Sequence, residues 1–502
     1  MMKNKLGLAL TLLISILVSH IVLAQQARQF PYFISLTGDE KPDEITEYFG
    51  VTNIPVPDER YSDRGIALTY KVGNIEQTFT GFALDDIEFT SQFGIIVEFK
   101  YAMIDGHTFN GRYGDGLSMF LYDSSNTLEI GAHGASLGYA YRNSDEGGSL
   151  PGLNGGYLGV GLDVFGDFKM RSGNRYERKE GIYFEWDEPG SHVTIRGAQY
   201  KNNRYKGYPV LYTINSDFRR STNRAKLEYD TGDYDYHDEQ FSKRFDLRPG
   251  YDYRGNIVYN TVIVKVVPNH EREGSEVEVK IRNQSGEGNI IDKFFYPNTF
   301  KTRDQFGDLY DFETQIPEKF KIGFAAGTGG AFQVQLVKDV KVTLPYQHET
   351  EDVRAIFCSG EGNNDGRKVR FDPYENSDFY SGSVANPSSG NSNYFIDYDS
   401  FRFEDEEGYD LNDGNPFAYT QPGVGTWSYD GERTVTFTAT EDNLPEGEYS
   451  VYYSAKGVMR DEGPFGEEVY RSRPTKLTVV VSKCKKLVNP LMPTKLRIKE
   501  PN

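Results

Sequence analysis

Apolar and polar positions alternate along this chain in short runs that break at Gly, Asn and Asp. In "VTFTA", Val435, Phe437 and Ala439 fall on one face, while Thr434, Thr436 and Thr438 fall on the other, as a half-buried strand requires. The same reading predicts strands at "RGIALTY" (64–70), "FTGFALD" (79–85), "FGIIVEFKYAMID" (93–105), "GLSMFLYD" (116–123) and "GGYLGVGLDVF" (155–165). "YFEW" and "HVTIRG" make a further pair. "TVIVKVV" and "EVEVKIRN" form a hairpin across "PNHEREGS", and "FKIGFAAGTGGAFQVQLVKDVKVTL" closes the region. No segment keeps a helical period, so the expected fold is all-β: a jelly-roll sandwich of two antiparallel sheets, with residues 200–250 as long decorated loops.

A second block of alternation follows the polar junction "LPYQHETEDVRA" (344–355) and is expected to be a smaller, Ig-like β-sandwich over 352–483. Residues 484–502 read as a C-terminal tail. The first 24 residues, with Lys3 and Lys5 ahead of an apolar stretch and Val22-Leu23-Ala24 before Gln25, read as a secretory signal cut after Ala24. The alternative is an uncleaved anchor over Leu6–Ala24, which His20 and the small residue at the cut disfavour. No cysteine follows the apolar run to take a lipid. The mature chain is therefore expected to be exported, secreted or at the cell surface, with no integral membrane span.

Composition narrows the partners. With 36 Tyr, 33 Phe and 52 Gly against 7 Met, the chain favours pleated strands joined by tight turns. A formal charge of −19 with no basic tract argues against nucleic acid, which demands clustered Lys and Arg. The two cysteines, Cys358 and Cys484, flank the C-terminal module. In an oxidising compartment they pair or stay as two buried thiols.

Four motifs carry a resemblance: "YGDGLSMFLYD" (113–123), "GAHGASLGYA" (131–140), "GGYLGVGLDVFGDF" (155–168) and "IGFAAGTGG" (322–330). In order and spacing they resemble the L-type, legume-like lectin domain, over residues 27–347. The resemblance implies a concanavalin-like jelly roll that binds sugar in a shallow depression above a calcium ion. It places Asp115 as acceptor for two sugar hydroxyls and Gly134, with Gly131 as alternative, as the close-approach glycine. It also places the Phe165 ring on the apolar face of the sugar, with Gly329 and Gly330 in the neighbouring loop.

For the ion, the resemblance implies Asp163 through its carboxylate, Phe165 through its carbonyl, and Asp167 as both ligand and sugar contact. Position 167 is Asp where the family has Asn, which removes a donor. In "EWDEPGSHVTI", Asp187 and His192 resemble the next two metal-site residues. Gly161 stands where a transition-metal site needs Glu, so Ca2+ alone is expected.

Two rivals follow from the same residues. Jelly-roll glycosidases use Glu-x-Asp-x-Glu on one strand face; Glu185 and Asp187 match, but position 189 is Pro and Glu188 points to the other face. No serine elbow and no Cys/His zinc spacing occur, so no catalysis is expected. The other rival is a structural adhesin subunit whose sandwich does not bind sugar. The C-terminal module resembles the spacer sandwiches of bacterial surface proteins, and its "GNNDGRK" and "DLNDGN" read as solvated acidic loops.

Overall fold

The computed structural model describes residues 30, 32–50, 60–71, 78–92, 94–142, 149–170, 192–215, 224–237, 246–269, 272–284, 286–304, 307–345, 348–349, 352–359, 368–374, 378–379, 396–406, 408–411, 415–440, 444–457, 471–472 and 474–483. They fall into two compact units, Tyr32–Pro345 and one drawn from Met1–Pro31 and Tyr346–Asn502. Residues 1–24, expected to be a secretory signal, Glu185 to Pro189 and Cys484 lie outside the described residues.

The Tyr32–Pro345 unit is an antiparallel sandwich. Its larger sheet runs in the order Tyr234–His237, Arg224–Leu227, Val210–Asn215, His192–Arg196, Gly156–Asp163, Gly116–Asp123, Lys319–Gly327, Phe79–Leu84, Ile45–Phe49. The facing sheet runs Tyr32–Ile34, Phe332–Thr343, Ile95–His107, Asn260–Asn269, Gly274–Asn283, Gly286–Pro297, with Ile66–Thr69 also paired to Phe332–Thr343. Phe82 and Phe324 of the larger sheet meet Phe99 of the facing one at the centre. The ring centroids of Phe99 and Phe324 are 4.9 Å apart, and all three residues are buried.

The central strands of the larger sheet are covered on both faces, which is why "GLSMFLYD" and "GYLGVGLD" read as apolar runs without clean alternation. Gly159 and Gly161, two apart and so on one face, supply the room for that second layer. A Cβ at Gly159 would stand 2.5 Å from the Tyr139 ring and one at Gly161 2.2 Å from Phe168. A glutamate at 161 is therefore sterically excluded, as well as missing.

Two features differ from the sequence reading. Residues 200–250 are not only loops: Asn203–Gly207, Val210–Asn215, Arg224–Leu227 and Tyr234–His237 are strands, and Val210–Asn215 is buried throughout. Its "VLYTI" core is short and its neighbours are strongly polar, which hid it. The closing stretch 320–344 is also no simple run, because Lys319–Gly327 and Phe332–Thr343 belong to opposite sheets and residues 328–331 cross between them.

The second unit has two four-stranded sheets, one of Val353–Ser359, Thr475–Lys483, Gly447–Gly457 and Ile396–Glu404, the other of Lys368–Phe371, Val435–Ala439, Gly425–Tyr429 and Ala418–Gln421. The Val353–Ser359 edge pairs in parallel with Thr475–Lys483; the other pairings within these two sheets are antiparallel. Val435, Phe437 and Ala439 are buried while Thr436 and Thr438 are half-exposed, as the alternation requires. The core is aromatic: Phe401 stacks on Tyr429 at 3.9 Å between centroids, and Trp427 is fully buried.

Candidate functional site

The register Gly116↔Asp163 brings the start of one central strand beside the end of the next, and the candidate residues collect there. Asp115 is tied to two other segments by its backbone. Its N–H donates to the Gly327 carbonyl at 3.0 Å, and its carbonyl accepts the N–H groups of Val164 (3.1 Å) and Phe165 (3.0 Å). The side chain is buried, at 7% exposure, and among the described residues its Oδ2 has no hydrogen-bond partner. Burial first, then the charges of Asp163 and Asp167, push its carboxyl up to about 8; Arg142 opposes them.

Asp163 ends the strand and organises the loop after it. Its Oδ1 accepts the Gly166 N–H and its Oδ2 the Phe168 N–H, both at 2.7 Å. Burial pushes this carboxyl to about 6, against the pull of those two N–H groups; Asp167 adds to the rise and Lys169 to the pull. The chain needs the acid here because a buried turn cannot leave two N–H groups without acceptors.

Basic side chains hold the carbonyls of the same loop. Arg112 Nη1 donates to the Phe165 carbonyl at 2.9 Å, with its guanidinium 5.8 Å from the Phe165 ring centroid. Lys169, 1% exposed, donates its Nζ to the Gly166 carbonyl at 2.6 Å. Fully buried Arg196 donates Nε to the Phe168 carbonyl at 2.9 Å, Nη1 to that of Tyr208 at 2.7 Å, and Nη2 to those of Phe168 and Met170.

The glycines divide by role. A Cβ at Gly329 would lie 3.8 Å from Asp115 Oδ1, and one at Gly134 would lie 3.9 Å from Asp115 Oδ2, so both border the carboxylate without covering it. A Cβ at Gly330 would lie 3.2 Å from the Phe109 ring. Gly131 is not brought to the carboxylate: it is buried, and a Cβ there would strike the backbone of Tyr139, Gly138 and Leu153 within 2.8 Å. Gly131 is thus a packing position, and Gly134 is the glycine at the site.

Phe165 is placed beside the acids, but its ring is 9% exposed and packs on Gly114, where a Cβ would come within 3.0 Å. His192 pairs with Asp163 across the strands and is buried, its ring against Gly166. Asp167 is half-exposed, and Asp187 lies outside the described residues.

Sequence reasoning missed four side chains here: Phe109, Arg112, Arg142 and Lys169. "FNGR" (109–112) held a signal, since Asn-Gly between paired residues favours a two-residue hairpin turn. Asn110 (φ 51°) and Gly111 (φ 77°) form that turn, Phe109 and Arg112 exchange both backbone hydrogen bonds, and Phe109 stands 46% exposed. Arg142 lies two residues beyond the second motif; its Nη1 lies 3.4 Å from His133 Nδ1.

The oxygen donors suit a hard cation in kind, with two carboxylates and a carbonyl in one loop. Their directions do not suit it. The Phe165 carbonyl meets Arg112, the neighbouring Gly166 carbonyl meets Lys169, and both Asp163 oxygens meet backbone N–H groups. Among the described residues no group of three or more His, Cys, Asp or Glu side chains converges as a metal site.

No protein-family model and no curated protein matches the chain. Among solved structures, it is similar to the exoplasmic/lumenal domain of VIP36 in a Ca2+/Man2-bound form, at 9% identity and TM-score 0.32 over 62% of this chain and 87% of that one. It is also similar to lectin UEA-II complexed with galactose, at 11% identity and TM-score 0.31 over 62% and 98%. The metal-free I-B4 lectin of Griffonia simplicifolia aligns at 12% identity and TM-score 0.32 over 62% and 98%.

Proposed function

We propose that the Tyr32–Pro345 unit binds carbohydrate at the Asp115 end of its larger sheet, without catalysis, in an exported protein that captures or adheres to glycans. The observation that carries this reading is the Asp115 carboxylate. A buried acid oxygen without a donor is costly, and a sugar hydroxyl arriving between Gly134 and Gly329 supplies the missing hydrogen bond. Exposed Phe109, beside Gly330, offers a ring for the apolar face of the sugar, a role that nearly buried Phe165 fills less well. Arg142 and His133 stand on the Gly134 side as donors to further hydroxyls. The calcium ion implied by the resemblance is left out of this reading, because the loop carbonyls already meet nitrogen cations.

Glycan-array screening of the full chain tests the proposal. Binding that Asp115→Ala abolishes, with no reducing sugar released from the bound glycans, is the expected outcome. A blank array overturns glycan binding in favour of a structural adhesin subunit, and turnover lost in Glu185→Gln overturns it in favour of a glycosidase.

A further inference from the structure

We infer that Lys169 and Arg112 are the resident cations of the 163–170 loop, and that the loop keeps its shape without a divalent ion. The inference rests on the glycan reading only in that this loop borders Asp115; its own basis is the direction of lone pairs. A hard divalent cation needs several oxygens aimed at one point. Here the two successive carbonyls of Phe165 and Gly166 are each aimed at a protonated nitrogen, at 2.9 and 2.6 Å. Both Asp163 oxygens are aimed back at its own loop.

Lys169 carries the argument furthest. An ammonium at 1% exposure persists only where carbonyls or carboxylates replace its water. It finds the Gly166 carbonyl three residues back along the chain, at 2.6 Å. The arrangement is braced from below, where Arg196 pins the carbonyls of Phe168 and Met170 on either side of Lys169. The acids Asp115, Asp163 and Asp167 stand among four cations, Arg112, Arg142, Lys169 and Arg196. A divalent ion added to this set would be repelled by an ammonium that has no water to screen it.

The test is thermal melting of the full chain in EDTA and in millimolar CaCl2, with calorimetric titration of CaCl2. The wild type is expected to melt at the same temperature within about 1 °C in both, with no binding heat; an ion held at a hundredfold above its Kd would separate the two by roughly 4 °C. Lys169→Met, which keeps the stem and removes the charge, is expected to melt several degrees lower, and Lys169→Arg to recover most of the loss. A wild-type melting temperature that falls in chelator and returns with calcium overturns the inference, and so does a Lys169→Met protein that melts like wild type. If Lys169→Met does not fold, the wild-type arms decide alone. Neither readout uses sugar, so a blank glycan array leaves this result intact.

Discussion

The paired strands Gly116–Asp123 and Gly156–Asp163 end in two polar regions with opposite physical characters. At the Gly116/Asp163 end, acids and bases are buried together and most are matched to a particular partner, with Asp115 Oδ2 left without one among the described residues. At the Asp123/Gly156 end, Asp123, Asn126, Gln199, Lys201 and Glu313 line an open cleft of about 670 Å3. There Lys201 and Glu313 pair at 3.3 Å with both side chains more than half exposed. Both ends carry acids and bases. What differs is access to water, which sets the strength of every interaction and decides which end is shaped to wait for a ligand.

The sharpest way to break the contrast is to remove Asp163. Asp163→Ala leaves the N–H groups of Gly166 and Phe168 without their acceptors, and chemical denaturation should register a loss of about 2–4 kcal/mol. An equally stable variant would mean that water reaches this loop as freely as it reaches the opposite cleft.

Asp115 probes the same burial with the opposite sign. Its carboxyl is raised from 3.8 to about 8, so between those values the folded protein holds more protons than the unfolded chain. Stability is then greatest at the bottom of that window and declines as pH rises through it. Asp163, raised to about 6, contributes to the lower part. Asp115→Asn should flatten the decline above pH 6 and stabilise the fold at pH 8 by roughly 1–3 kcal/mol, while weakening glycan binding about tenfold or more. A pH-stability curve unchanged by this substitution would place the carboxylate in water.

Smaller effects mark the periphery. Phe109→Ala should cost roughly three- to tenfold in glycan affinity, read by titration, and leave the melting temperature close to wild type, since its ring is nearly half exposed. Lys201→Ala, across the molecule, should change neither stability nor glycan binding measurably. A large loss there would show that the open cleft shares the work.

Legibility in the sequence followed the range of the interactions. "GLSMFLYD" gave its strand to the residue, Gly116–Asp123, because period, turn residues and apolar content agree locally. Val210–Asn215 did not declare itself, since its burial depends on neighbouring strands such as His192–Arg196, which lies outside the local pattern. At the site, Asp115 was singled out by the glycines on either side of it and Asp163 by its place in the Asp-x-Phe-x-Asp loop, and the structure brings the two together. Lys169 was not, because "DFKM" carries no local sign that its ammonium is buried; that depends on Arg196, 27 residues on, fixing the surrounding carbonyls. Phe109 sat in a readable Asn-Gly turn, but only the fold shows that the turn overlooks Gly330.

The crossing at residues 328–331 bears on the order of events during synthesis. Lys319–Gly327 fills the gap between Gly116–Asp123 and Phe79–Leu84, and Phe332–Thr343 joins Ile95–His107 to Tyr32–Ile34. Both sheets therefore lack an interior strand until some three hundred residues have left the ribosome, and the Asp115 N–H has no Gly327 carbonyl to meet before then. Such long-range closure makes folding slow and leaves strand edges open in the nascent chain. The Asp115 end is assembled last, so a truncation anywhere before residue 343 should yield an aggregating fragment with no partial site.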